Sequence, residues 1–165
     1  MDQLRFDNQL LKRRRRNRPR EWKVVGVGEC PPPEEMSLVN TPEQAVTYWR
    51  NHIATMAHYN PDCECLAVLI LNTKYRVRGH HLVSIGSLNE TAAHPREIFR
   101  VAVAAAGYCI VLMHNHPSGE PEPSDMDKRL TRRVKEAGEL LQIEVRDHVI
   151  VGHQRFFSFR QAGMM

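Results

Sequence analysis

Two histidines two residues apart are followed, within a dozen residues, by a serine and an aspartate in "LMHNHPSGEPEPSDMD", residues 112–127. In extended backbone, side chains at i and i+2 project from one face. His114 and His116 can therefore aim both imidazoles at one point while Asn115 faces away. A loop that folds back lets Asp127 add a carboxylate oxygen. Two nitrogens and one oxygen, with water in the fourth place, make the open ligand set of a catalytic zinc ion. A closed structural site would want a fourth protein ligand, and no cysteine sits nearby at the usual spacing. One Zn2+ ion is the expected cofactor.

Ser124 stands three residues before Asp127 and is the natural N-cap of a following helix. Its hydroxyl could instead, or in part, meet the water on the metal or the oxygen of a tetrahedral intermediate. Water activated in this way also needs a proton acceptor. Glu64, just ahead of the apolar run "CLAVLIL", reaches the site if that run pairs beside "CIVLM". Glu97 in "HPREIF" is the rival, at a helix start that would also suit capping. Glu120 and Glu122 lie in the metal loop and face solvent. Chemistry alone does not separate Glu64 from Glu97. His94, before Pro95, reads first as a polar helix-entry residue, with cleft lining as the alternative. His148 in "DHVIV" reads first as a satisfied core histidine, with contact to a ligand as the alternative. His52 and His58 read as surface or rim residues.

The elements that must position these groups are visible in the pattern. "TPEQAVTYWRNHIATMAHYN" predicts a helix capped by Thr41, with proline first and Ala45, Trp49, Ile53 and Met56 on one stripe. "CLAVLIL" is a near-continuous apolar run, as in a strand covered on both faces. "NTK" turns the chain into a second strand, "YRVRGHHLVSIG". "HPREIFRVAVAAAGY" predicts a helix from Pro95 to about Gly107, burying Ile98, Val101, Ala102, Ala105 and Ala106. "CIVLM" is a short strand running into the histidines. The Pro/Gly-rich segment 117–123 is an irregular loop. "SDMDKRLTRRVKEAGELLQI" is an amphipathic helix with Met126, Leu130, Val134, Ala137 and Leu141 on or near its stripe. "EVRDHVIVGHQRFFSFRQAG" closes the chain as a pair of strands. The order is mixed α/β: a central sheet with helices against it.

The 165 residues suit one domain with a tail, and an apolar share of 42% allows a real core. Residues 1–23 hold nine Lys/Arg against three Asp/Glu, while the remainder holds fourteen against sixteen. The net charge of +4 thus belongs to the tail. Residues 1–40 read as a basic, proline-rich, disordered tail and linker, and 41–165 as the catalytic domain. The basic block could make weak, non-specific contact with DNA or an acidic protein surface, but charge alone carries no sequence readout. No run of eighteen apolar residues and no secretory signal is present, so no membrane span is expected. Cys30, Cys63, Cys65 and Cys109 form no CxxC pair. Reduced thiols in a cytoplasmic protein are the simpler reading. An exposed edge strand would allow a homodimer, though no feature demands one.

"HNHPSGEPEPSDMD" resembles the JAMM (JAB1/MPN+) metalloprotease signature: H-x-H, seven residues, S-x-x-D. More narrowly, "HPREIF", "HNHPSG" and "DHVIVG" resemble the RadC family, historically called DNA repair proteins. The resemblance covers roughly residues 42–160. It implies a JAB1/MPN fold, a curved mixed β-sheet flanked by helices, similar to that of cytidine deaminases. It also implies His114, His116 and Asp127 as zinc ligands, and Ser124 beside the bound water. The family's glutamate falls on Glu64, which favours it over Glu97. Full-length RadC proteins usually carry a helix-hairpin-helix-like region before this domain. Residues 1–40 are instead basic and proline-rich, so a short form of the family is expected.

The function so implied is zinc-dependent cleavage of a peptide or isopeptide bond. A metal-dependent nuclease is the next enzyme class, but the letters "HNH" do not make a nuclease finger, whose histidines are spread over a ββα unit. A zinc deaminase would need H-x-E followed by P-C-x-x-C, and neither occurs. A non-catalytic metal-binding interaction module is the third reading. "RFFSF" reads as sheet packing, since a base-stacking surface would need basic residues interleaved across several strands.

Overall fold

Seven consecutive apolar residues, Cys65–Leu71, form strand β1, and every one is buried. The computed structural model describes residues 34–86 and 93–165. The basic block, the triple proline and Cys30 lie outside these residues. β1 pairs antiparallel with β2 (Val77–Ile85) on one side and with β3 (Cys109–Asn115) on the other. β3 runs parallel to β4 (Glu144–Val151), and β5 (Phe156–Ser158) pairs antiparallel to β4. The sheet order is β2-β1-β3-β4-β5. The helices are α1 (Pro42–Tyr48), whose last turn widens into a π-helical segment, Trp49–Ile53, then α2 (Pro95–Ala104) and α3 (Asp125–Leu141). The result is the mixed α/β sheet expected, and it is consistent with a JAB/MPN fold.

Alternation divides the central strands between two cores. Cys65, Ala67, Leu69 and Leu71 of β1 join Cys109, Val111 and Met113 of β3 against α1, where Trp49 and Ile53 are buried. Leu66, Val68 and Ile70 join Ile110 and Leu112 against α2 and α3. Burial of each large aliphatic side chain contributes about 1.5–3 kcal/mol, so β1 and β3 are held from both faces. The same alternation carries His114 onto the α3 side and Asn115 onto the α1 side. Ahead of α1, Met36 and Val39 are buried and Leu38 bridges to Arg76, so residues 36–39, read above as linker, touch the core.

Helix starts follow their sequence signals. Thr41 caps α1 in a capping box with Gln44. The expected buried rows need two corrections. In α2 the inward residues are Ile98, Phe99 and Ala102, while Ala106 is exposed, past the helix end in a left-handed conformation. Gly107 serves both the helix end and space: after the left-handed Ala106 its N–H donates to the Ala102 carbonyl at 2.8 Å, and a Cβ there would lie 2.5 Å from Ile70 Cγ2. In α3 Met126 and Leu141 are 37% and 47% exposed. Its inward row is Asp127, Leu130, Thr131, Val134 and Gly138. With Asp127 turned inward, a neighbour one residue away is rotated about 100° off that row, which puts Met126 at the rim.

Candidate metal centre

The site forms where β3 ends and α3 begins. β3 delivers His114, fully buried, and the chain continues to His116. His114 Nε2 and His116 Nε2 lie 3.1 Å apart. Asp127 Oδ1 is 3.2 Å from His114 Nε2, and Asp127 Oδ2 is 3.5 Å from His116 Nε2. The three residues form a group able to hold a metal ion. A tetrahedron with bonds of about 2.0–2.1 Å has edges of about 3.3 Å. The observed separations are of that size, so two imidazoles and a carboxylate fit a small, borderline-soft divalent cation.

Each ligand is fixed from behind. His116 Nδ1 is 2.8 Å from the Glu120 carbonyl oxygen. A carbonyl only accepts, so Nδ1 donates and Nε2 turns to the site. His114 Nδ1 is 2.9 Å from His148 Nε2, and His148 Nδ1 is 2.7 Å from Thr131 Oγ1. Ser124 caps α3 and forms a capping box with Asp127. The Ser124 N–H and hydroxyl both donate to Asp127 Oδ2, at 2.8 and 2.6 Å, while the Asp127 N–H donates to Ser124 Oγ at 3.2 Å. Ser124 thus caps the helix and orients the ligand carboxylate at once.

Charge follows this geometry. Burial pushes the Asp127 carboxyl up, but the His114 and His116 rings and the Ser124 hydroxyl beside it outweigh that and hold the group far below the usual carboxylate range. His116 is raised, chiefly by its bond to Asp127, with a further contribution from the Glu64 charge. Burial drives His148 well below 6.5.

Glu64 therefore stands close enough to His116 for its charge to be felt. Its backbone is clamped by Asn115, whose Nδ2 donates to the Cys63 carbonyl at 3.0 Å and whose Oδ1 accepts from the Cys65 N–H at 2.9 Å. The Gly86 N–H donates to the Glu64 carbonyl at 2.9 Å. Glu97 instead pairs with Arg96 at 3.2 Å and Arg100 at 3.0 Å. His94 is the N-cap of α2, accepting from the Arg96 N–H at 3.1 Å. His52 and His58 are exposed. His148 is a satisfied core histidine, fully buried, and at the same time the hydrogen-bond partner of His114, the alternative reading given for it. Glu120 and Glu122 are turned towards Arg155.

Two contributors escaped the sequence reading. Thr131 lies four residues after Asp127, on the same helical face, and that spacing is the signal that could have found it. Asn115 faces away as expected, but its partners are about fifty residues distant. The loop behind His116 is stitched to the end of β4. The His116 N–H donates to the Val151 carbonyl at 3.2 Å, and the His153 N–H donates to the Gly119 carbonyl at 3.1 Å. Gly152 packs so closely there that a Cβ would lie 2.3 Å from the Gly119 oxygen.

Comparison with known proteins agrees with this architecture. The chain is similar to a UPF0758 protein of Chlorobaculum parvum, 48% identical over 102 residues, covering 62% of this chain and 46% of the relative. It is similar to another UPF0758 protein from Desulforudis audaxviator, 42% identical over 135 residues, covering 82% of this chain and 56% of the relative. The chain spans about half the length of the curated relatives it matches. The family description RadC-like JAB domain matches residues 39–164, a stretch that runs from the segment before α1 through the whole sheet and both histidines. On that match the chain belongs to the family of RadC-like JAB domains.

Proposed function

We propose that this domain is a zinc-dependent hydrolase of JAMM type that cleaves a peptide or isopeptide bond. The observation that carries the reading is the convergence of His114 Nε2, His116 Nε2 and the Asp127 carboxylate, with Glu64 near enough to bias His116. A zinc ion held there would supply Lewis acidity to a carbonyl and make a water more acidic. His114 and His116 offer neutral nitrogen, and Asp127 supplies the one negative charge. Glu64 is the proton acceptor, taking the proton of the attacking water and returning it to the leaving amine. Ser124 acts through the ligand: its N–H and its one hydroxyl proton both go to Asp127 Oδ2 and hold that carboxylate in place. Asn115 and Gly86 restrain the backbone on which Glu64 sits, so its carboxylate has a short arc to search.

The experiment is zinc content of the wild type and H116A, followed by cleavage of a peptide and isopeptide library with E64Q as control. Stoichiometric zinc lost in H116A, and turnover lost in E64Q with zinc retained, are expected. Absence of zinc would sink the metal reading. Zinc without E64-dependent turnover would sink the hydrolase and leave a metal-binding interaction module. Cleavage of DNA with no cleavage of peptides would replace the reading by a nuclease.

A further inference from the structure

The hydrogen bonds behind His114 have a direction that elementary chemistry fixes. Thr131 Oγ1 lies 2.7 Å from the Asp127 carbonyl oxygen and 2.7 Å from His148 Nδ1. A carbonyl oxygen only accepts, and a threonine hydroxyl has one proton. That proton is committed to Asp127, so Thr131 meets His148 as an acceptor. His148 therefore carries a proton on Nδ1. Its ring is fully buried and stacked on Phe159, with centroids 4.9 Å apart. A charge there would be costly, and the ring is neutral with Nε2 bare. The 2.9 Å contact to His114 Nδ1 then requires the proton to lie on His114 Nδ1. His114 Nε2 is left with its lone pair facing His116 and Asp127.

We propose that Thr131 and His148 form a tautomer lock: positioning residues that keep the His114 proton on Nδ1 and so present Nε2 as a ligand atom before any metal arrives. Its purpose rests on the metal reading above, while its geometry does not. Asp127 and Thr131 sit one turn apart on α3, so one helix register sets both a ligand and the origin of the lock. Without an acceptor at Thr131, His148 gains a second option. It can carry its proton on Nε2 and donate to His114 Nδ1, which moves the His114 proton onto Nε2 and blocks the ligand nitrogen.

The test is nitrogen-15 NMR of the histidine rings in metal-free full-length protein at pH about 8.5, well above the imidazole pKa of about 6.5. Wild type is expected to show His114 predominantly protonated on Nδ1, with His148 likewise. T131V, which removes the acceptor at nearly constant volume, should shift His114 towards the Nε2–H form and weaken zinc binding about 10–100-fold, the range for partners of metal-bound histidine. T131S should restore both. A His114 proton on Nε2 in the wild type would overturn the lock, and this readout needs no variant to fold. Unchanged tautomer and zinc affinity in T131V would overturn it equally. Zinc titration of wild type against H116A tests the metal reading separately, because the tautomer is measured without metal.

Discussion

Asn115→Ala isolates the clamp on Glu64 from the metal ligands on either side of it. Asn115 is buried, and its side chain serves three backbone groups of the segment that carries Glu64, the Pro61 carbonyl being the most distant at 3.5 Å. Alanine leaves the Cys65 N–H without an acceptor, at a residue with no exposed surface. A buried donor stranded in this way costs about 1–3 kcal/mol. The Cys63 carbonyl loses its donor too, but Cys63 is half-buried and water can reach it, so it adds the lower end of that range. Together the variant should lose about 2–4 kcal/mol in urea denaturation. His114 and His116 keep their partners, so zinc affinity should change less than about threefold, an effect below 1 kcal/mol. The freed Glu64 segment should show in two further readouts. If the proposed hydrolase reading holds, turnover on any cleaved peptide should fall by up to about 100-fold, the scale of a catalytic group displaced by about 1 Å. In metal-free protein His116 should titrate lower than in wild type, because the Glu64 charge that helps raise it is no longer held nearby. A variant within about 0.5 kcal/mol of wild type, the ordinary surface scatter, with unchanged turnover and His116 titration, would refute the clamp.

Acid should reveal His148 and a glycine substitution should reveal the stitched loop. Burial holds His148 well below 6.5 in the folded state, so its share of stability is complete above that pH and lost as pH falls below it. The unfolded chain takes up a proton that the folded chain refuses, giving a slope of at most about 1.4 kcal/mol per pH unit. Burial lowers His80 and His81 in the same direction, and the raised His116 opposes them. Denaturation of metal-free wild type and H148N between pH about 5 and 7 should therefore give a shallower slope in the variant, and equal slopes would contradict a neutral His148. Gly152→Ala would force a methyl to within 2.3 Å of the Gly119 oxygen, where only backbone can yield. It should cost about 1–3 kcal/mol and weaken zinc binding through the Glu120 carbonyl that orients His116. Gly79→Ala, with nothing within 4 Å of the added methyl, is the control expected near wild type.

Much of this site was legible because its logic is local. The spacing of His114 and His116 is the two-residue period of a strand, and Ser124 with Asp127 is a helix start written in four letters. β1 and β3 were legible as covered strands because they are apolar on both faces. The contributions that stayed hidden depend on partners remote in sequence. Asn115 binds across about fifty residues; His148, which reaches across 34, could be named from the sequence as a core histidine or a ligand's neighbour but not decided between them. The errors in the buried rows have a related cause. A stripe drawn from apolar letters passes over Asp127 and Thr131, which point inward for chemistry rather than for packing. Met126 and Leu141 took their places in that reading. Glu64 and Glu97 were inseparable by chemistry because each stands at the edge of an element. What distinguishes them is the pair of arginines on one and the proximity of His116 to the other.

The stitching of the His116 loop to β4 bears on how the protein is made. A ribosome that has reached Leu141 has already issued both histidines, the aspartate and the threonine of α3. Yet His148, the Val151 carbonyl and the turn at Gly152 are still to come, and with them the parallel neighbour that β3 needs. Chains emerge from the N-terminus onward at about 5–20 residues per second. For that interval the nascent chain holds every metal-binding side chain without the scaffold that points them inward. A fragment ending at Leu141 should therefore carry the signature in its sequence while lacking the contacts from His148, Val151 and the Gly152 turn that hold His114 and the His116 loop in place.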